Sequence, residues 1–193
     1  MTTEQGKFKK QKVAWGISGA GDKIAEFIEA MKQVKREYED IVDIHVFVSK
    51  AGETVLKFYN LEAKLRASFE RVHIETNSNT PFLAAWLQMR RYEFLLIAPA
   101  TSNTVAKIAN GIGDTMLTNA AVMSLKAFVP VYIVPTDYKE GVVYTKLPNG
   151  KEMKLRVRKE EVEQVGKLRQ MEDVHVIEGP EEIEGIFKKV FSR

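Results

Sequence analysis

Runs that are apolar at nearly every position alternate along the chain with longer segments in which apolar residues recur every three or four positions. The first pattern describes strands buried on both faces, and the second describes amphipathic helices laid over them. Strands are predicted at residues 12–17, 43–48, 93–98, 129–134 and 173–177, with a short one at 71–74. A helix is predicted at 23–36, where Ile24, Phe27, Ile28 and Met31 form one stripe, and another at 81–91, with Pro81 at the first helical position behind a Thr80 cap. Further helices are predicted at 104–110, 115–127 and 181–191. This succession predicts an α/β fold, a doubly wound, mostly parallel open sheet of Rossmann-like, three-layer build. No repeat, low-complexity tract or linker divides the chain, so residues 1–193 are expected to form one domain.

One segment breaks the alternation. Residues 141–145 and 152–157 flank Leu147-Pro148-Asn149-Gly150, and Asn-Gly between two β-rich runs predicts a hairpin inserted near 141–157. Residues 139–159 hold seven Lys or Arg against two Glu, so the hairpin is a basic arm of net +5. It suits docking of an acidic partner, or equally a solvated hairpin whose lysines protect its edges.

The charge elsewhere is balanced. The formal charge of +3 equals that of the first twelve residues, where Lys7, Lys9, Lys10 and Lys12 stand against Glu4. A neutral body argues against nucleic acid as the main ligand. The apolar runs are too short to cross a bilayer, and residues 1–11 lack the apolar segment of a secretory signal, so a cytoplasmic protein is expected. With no cysteine among its 193 residues, the chain has no disulfide, thiolate nucleophile, thiolate zinc site or iron–sulfur cluster of its own, and no metal is expected.

Candidate chemistry lies where predicted strands run into loops. The first strand enters Gly16-Ile17-Ser18-Gly19-Ala20-Gly21 ahead of a helix, an arrangement in which backbone N–H groups, a helix N-terminus and the Ser18 hydroxyl can meet a phosphate. The glycines fall at the first, fourth and sixth positions, not in the dinucleotide spacing, and Gly21 is followed by Asp22-Lys23 where a triphosphate loop needs Lys-Ser or Lys-Thr. The second strand ends in Val48-Ser49-Lys50-Ala51-Gly52, which suits a second phosphate contact better than a ribose. Behind strand 93–98 stands Pro99-Ala100-Thr101-Ser102-Asn103-Thr104, with short hydroxyls and a carboxamide at the carboxyl end of the sheet.

This third loop, with the helix after it and Gly111-Ile112-Gly113-Asp114, resembles the signature of the homo-oligomeric flavin-containing proteins related to cysteine decarboxylases, Pro-Ala-Ser-Ala-Asn-Thr followed by a helix and Gly-x-x-Asp-x-Leu. The resemblance spans residues 12–136 and implies FMN as cofactor. It implies that Gly16, Ser18, Gly19 and Ala20 with Ser49 and Lys50 surround the FMN phosphate, that Ala100, Thr101, Ser102 and Thr104 lie against the ring system, and that Asn103 faces the substrate side. Asn103 and Thr104 also suit helix capping.

Within that superfamily, the run from Glu75 to Phe82, the segment Ala84-Ala85-Trp86-Leu87-Gln88 and residues 96–121 resemble archaeoflavoproteins. That resemblance implies an archaeal, FMN-binding homo-oligomer, a dimer ahead of a trimer-based assembly, that accepts electrons from ferredoxin and passes them to another acceptor. The alternative is an FMN-dependent decarboxylase or lyase, or a prenyltransferase-like enzyme. His73, in Val72-His73-Ile74-Glu75, is the candidate for its chemistry with Asn103, although a histidine ending a short strand explains it as well. Prenyltransferases carry an arginine after Val-Pro, where Thr136 stands here. His45 and His175 read as strand residues. Phe82, Trp86 and Tyr138 are candidates to stack on a flavin, while helical spacing equally suits Phe82 and Trp86 to a core.

Overall fold

A computed structural model describes residues 9–192. Lys7 of the basic N-terminal segment lies outside the described residues; Lys9 and Lys10 are exposed. Six strands, β1 (Gln11–Ile17), β2 (Val42–Val48), β3 (Val72–Ile74), β4 (Leu95–Ala100), β5 (Val131–Pro135) and β8 (Val174–Val176), form one sheet. Every neighbouring pair is parallel, in the order β3-β2-β1-β4-β5-β8. The chain therefore winds outward from β1 to β3, returns to the middle for β4, and winds outward the other way. The reversal between β1 and β4 opens a crevice at the carboxyl ends of the strands, where sheets of this topology bind ligands.

Helices cover both faces, as the burial of β1 from Val13 onward and of all of β4 requires. On one face α1 (Ile24–Glu37), α2 (Lys50–Phe58), α3 (Glu62–Ser68) and α8 (Ile183–Phe191) pack over a core that includes Trp15, Ile28, Leu56, Leu65, Phe94 and Phe187. The indole N–H of Trp15 donates to the Ala98 carbonyl oxygen at 2.7 Å, so the largest core side chain joins β1 to β4 without an unpaired polar atom. On the other face α4 (Leu83–Gln88), α5 (Ser102–Ala109), α6 (Met116–Lys126) and α7 (Lys159–Leu168) bury Leu87, Val105, Ile108, Leu117 and Val165. None of the helices of the described residues is long and apolar enough to cross a membrane.

The predicted architecture is the one found, with three differences. First, α4 begins at Leu83 with Phe82 at its N-cap, because Thr80 closes a tight turn: its carbonyl accepts from Thr76 at 2.8 Å and Asn77 Oδ1 accepts from Asn79 N. Thr80 is not a cap and Pro81 is not a first helical residue. Second, α5 starts at Ser102 because Thr101 takes the cap, its hydroxyl accepting from Thr104 N. Third, α2, α3 and α7 are helices beyond those predicted; α2 starts immediately after β2, with Ser49 as a one-residue hinge and cap. The hairpin forms as expected from β6 (Gly141–Lys146) and β7 (Glu152–Val157), a separate two-stranded antiparallel sheet.

Candidate functional site

The loops after β1, β2, β3 and β4 and the N-termini of α2, α5 and α6 enclose a cleft of about 700 Å³ at the crevice. Its walls include Gly19, Ser49, Lys50, Thr101, Asn103 and Thr104 from the sequence prediction. They also include residues that the prediction did not single out, among them Glu75, Asn77, Ser78, Lys107, Thr115 and Leu117.

Glycine sets the spacing between the first two loops. A Cβ on Gly52 would stand 2.6 Å from the Ile17 carbonyl oxygen and 3.0 Å from that of Ser18, so α2 can lie against the β1 loop only with no side chain there. Gly19 lies against Ala51 in the same way, 2.7 Å from a would-be Cβ to the Ala51 Cβ. A ligand between them therefore meets backbone.

The hydroxyls divide by role. Ser18 is buried; its Oγ donates to the Pro99 carbonyl oxygen at 2.8 Å and accepts from Thr101 N at 2.9 Å, stitching the β1 loop to the β4 loop with its proton directed away from the cleft. Ser49 Oγ accepts from Gly52 N at 2.9 Å and retains its own O–H for a ligand oxygen. Thr115 and Thr118 engage each other in a capping box at the start of α6. The amides of Ser102 and Asn103, in the first turn of α5, have no intrahelical acceptor. Lys50 is exposed at the rim with no ion pair among the described residues, whereas Lys107 is held by Asp114 at 2.8 Å. The cleft thus presents a helix dipole, backbone amides, a hydroxyl and a free cation to an anion.

Glu75 organises this wall. Its carboxylate, 9% exposed, accepts from Lys50 N at 3.0 Å and from Met116 N at 2.7 Å, so one anion caps the N-termini of both α2 and α6. Two helices far apart in sequence are clamped at the cleft by a residue just beyond β3. Sequence signals were available in the Ser49 and Thr115 cap positions, but pairing both with Glu75 needs the fold.

The other predicted residues divide between packing and a neighbouring crevice. Gly16 lies within β1, where a Cβ would meet Leu117 Cδ2 at 2.8 Å, and Ala100 is fully buried in β4; neither lines the cleft. Ala20 and Ser102 line an adjoining crevice of about 300 Å³ under the hairpin, as do Asn103 and Thr101, which border both. Partial burial in that crevice raises the pKa of Asp22, with Lys23 opposing and Glu26 and Asp137 adding to the shift. His73 sits on the edge strand β3 outside the cleft walls, stacked on Phe47 with ring centroids 4.9 Å apart, and burial holds its pKa below the ordinary value. His45 lies inside β2 and His175 inside β8, as read from the sequence. Trp86 packs edge-on against Phe47, Tyr138 packs against the second core, and Phe82 is 60% exposed; none of the three lines the cleft.

Comparison with known proteins gives the family to which this fold belongs. Residues 1–188 match the Flavoprotein family, and the chain belongs to it. An uncharacterized protein of Methanocaldococcus jannaschii is 46% identical over 92% of this chain and 95% of its own length. Dihydromethanopterin reductase (acceptor) of the same organism is 33% identical over 89% of this chain and 94% of its own. Among solved structures, Burkholderia xenovorans DmrB in complex with FMN, described as a cubic protein cage for redox transfer, superimposes with a TM-score of 0.80 at 30% identity, covering 96% of this chain and 97% of that one.

Proposed function

We propose that the cleft binds FMN and that the protein is an electron carrier or reductase, receiving electrons from an acidic donor such as ferredoxin and passing them to a second acceptor. The observation that carries this reading is the convergence of the β1, β2 and β4 loops with the α5 N-terminus on one cleft of about 700 Å³ at the switch point of the sheet. That volume is in the range of cofactor sites, and the donors on its wall suit a phosphate while Asn77, Asn103 and Ser78 suit the edge of a ring. FMN is bound by the structurally similar DmrB, and membership of the Flavoprotein family points the same way.

FMN would supply the redox chemistry. The protein's part is to hold and orient it. In this reading Ser49 would donate a hydrogen bond from its hydroxyl to a phosphate oxygen, Lys50 would supply a positive charge at the rim, and the amides of the first turn of α5 would donate to it as well. Gly19 and Gly52 let backbone come close, and Leu117 contributes apolar surface. Ser18 acts through the loop it stitches to Thr101.

The hairpin's two faces support a docking role. Val143 and Leu155 pair on one face with Thr145 and Met153, and all four turn toward the body; Arg156 and Lys154 stand on the other, opposite Val142 and Tyr144. A basic outer face beside the cleft would speed encounter with an acidic donor at low salt. Relatives include a redox-transfer cage, and a homo-oligomer is the assembly we expect.

The test is stopped-flow reduction of the FMN-loaded protein by ferredoxin and, in parallel, by NADH. Reduction by ferredoxin with a rate that falls as salt rises supports the reading. Rates independent of ionic strength count against the docking face, and protein that neither carries nor takes up FMN overturns the whole reading. Product from a cysteine-terminated peptide or a prenyl phosphate would instead favour lyase or transferase chemistry.

A further inference from the structure

A chain of three polar side chains runs from the second core to the surface, away from the cleft. Tyr92, between α4 and β4, is 4% exposed, and its hydroxyl lies 2.9 Å from Nδ1 of His45, itself 4% exposed inside β2. The other ring nitrogen, Nε2, lies 2.9 Å from Asp43 Oδ2, and Arg71 Nε stands 3.6 Å from the same oxygen. A carboxylate accepts only, so the neutral ring carries its proton on Nε2, donates it to Asp43, and accepts from the phenol at Nδ1.

Burial holds the pKa of His45 below its ordinary value and raises that of Tyr92. At neutral pH the imidazole is therefore an unprotonated base, and the phenol does not ionise by itself. Of the buried tyrosines Tyr38, Tyr92 and Tyr132, only Tyr92 is hydrogen-bonded to a histidine among the described residues. Tyr132 merely stacks on His175, ring centroids 4.8 Å apart, and Tyr38 packs against Phe187 and Phe191. Tyr92 also ends a row of aromatic rings. Its centroid lies 6.0 Å from that of Phe47, and Phe47 lies 6.3 Å from Trp86, which is only partly buried on α4. Steps of that length are short enough for an electron to cross.

We propose that Tyr92 is a redox-active side chain: it yields one electron to a strong one-electron oxidant, and its phenolic proton crosses the hydrogen bond to His45 Nδ1, leaving a neutral tyrosyl radical. The O–H bond of Tyr92 breaks and an N–H bond forms on His45, while the oxidant is reduced by one electron. When an electron returns, the proton goes back. Loss of an electron makes a phenol strongly acidic, so a base already in hydrogen-bond contact lets both leave together. Asp43, on the far side of the ring, balances the imidazolium. Trp86 is the point of entry, since it is the outermost ring of the row. The oxidant belongs to the class of radicals and high-valent metal complexes able to oxidise tyrosine, and the step involves neither the cleft nor its occupant. The proposal is therefore independent of the flavin reading.

Flash oxidation of the full-length protein tests this, with light-generated tris(bipyridine)ruthenium(III) as oxidant and a cobalt(III) ammine as sacrificial acceptor. Freeze-trapped samples read by electron paramagnetic resonance should show a long-lived neutral tyrosyl radical. Tyr92→Phe should abolish that signal, whereas Tyr132→Phe and Tyr144→Phe, at a buried tyrosine without a histidine partner and at an exposed one, should leave it. His45→Gln keeps a polar group beside the phenol but removes the base, and should slow radical formation by about tenfold or more. Formation in the wild-type protein should also be slower in D2O, a measurement that needs no variant to fold. A signal that survives Tyr92→Phe, no tyrosyl signal at all, an unchanged rate in His45→Gln, or equal rates in H2O and D2O overturns the proposal.

Discussion

Replacing Glu75 by Ala should loosen the cleft more than any change to its exposed wall. The carboxylate accepts two backbone N–H groups, from Lys50 at 3.0 Å and from Met116 at 2.7 Å, and the second bond is buried. Hydrogen bonds to a charged group contribute about 1.5–3 kcal/mol each, and an anion at a helix N-terminus adds about 0.3–1 kcal/mol. Alanine removes both bonds and leaves the Met116 amide buried without an acceptor, so the loss should be about 3–5 kcal/mol. For a domain of this size that lowers Tm by about 6–20 °C. Glu75→Gln keeps one neutral acceptor and should fall between wild type and alanine. Urea unfolding followed by circular dichroism reads the stability, and quenching of flavin fluorescence reads FMN affinity on the same samples. Because Lys50 and Thr115 stand at the freed helix ends, affinity should fall with stability. A loss below about 1 kcal/mol would refute the clamp, and lost stability with unchanged FMN affinity would refute its role in shaping the cleft.

Three further outcomes follow from particular contacts. Gly52→Ala should destabilise by about 1–3 kcal/mol and weaken FMN binding, because the new methyl meets the Ile17 and Ser18 carbonyls and must push α2 from the β1 loop; urea unfolding and FMN titration with wild-type values would refute it. Acidification below pH 6.5 should destabilise the protein. Burial lowers the pKa of His45 from the ordinary 6.5 despite the Asp43 contact, and a neutral ring protonated at Nε2 donates to Asp43 and accepts from Tyr92 at Nδ1. The unfolded chain then binds a proton that the folded one refuses, so stability falls as pH drops from 6.5 toward the lower folded value; His45→Gln should lessen the fall of the urea midpoint between pH 7 and 5.5, the remainder coming from His73 and His175, which burial shifts the same way, and a midpoint rising on acidification would sink the argument. Finally, Asn103→Ala should weaken FMN binding while His73→Asn leaves it within about twofold, since only Asn103 borders the cleft; the reverse order in a fluorescence titration would restore His73 to the site.

Much of this was legible along the chain. Five of the six sheet strands announce themselves as mostly apolar runs because the sheet is covered on both faces, and the Asn-Gly turn marks the hairpin because few residues tolerate its backbone; Gly150 has φ 79°. The loops after β1, β2 and β4 were also readable, since glycines and short hydroxyls cluster at the ends of those strands. The helices α2, α3 and α7 were harder: α2 begins one residue after its strand and α3 spans only Glu62–Ser68, leaving little room for a period to show.

The sequence by itself determined the layered α/β fold, the chain order of the cleft-lining loops and the absence of cysteine chemistry, because these depend on local pattern and composition. Which of those residues line the cleft was decided by the tertiary structure. Ser18 turns inward to Pro99, Gly16 packs on Leu117, and His73 stacks on Phe47 outside the cleft. Glu75, which reads as an ordinary acidic residue after a short strand, becomes the clamp between two helices because the parallel order brings the ends of β2 and β3 and the start of α6 together. Neither Lys50 nor Met116 is near Glu75 in sequence, and hydrogen bonds of that separation are set by topology, which no local pattern encodes.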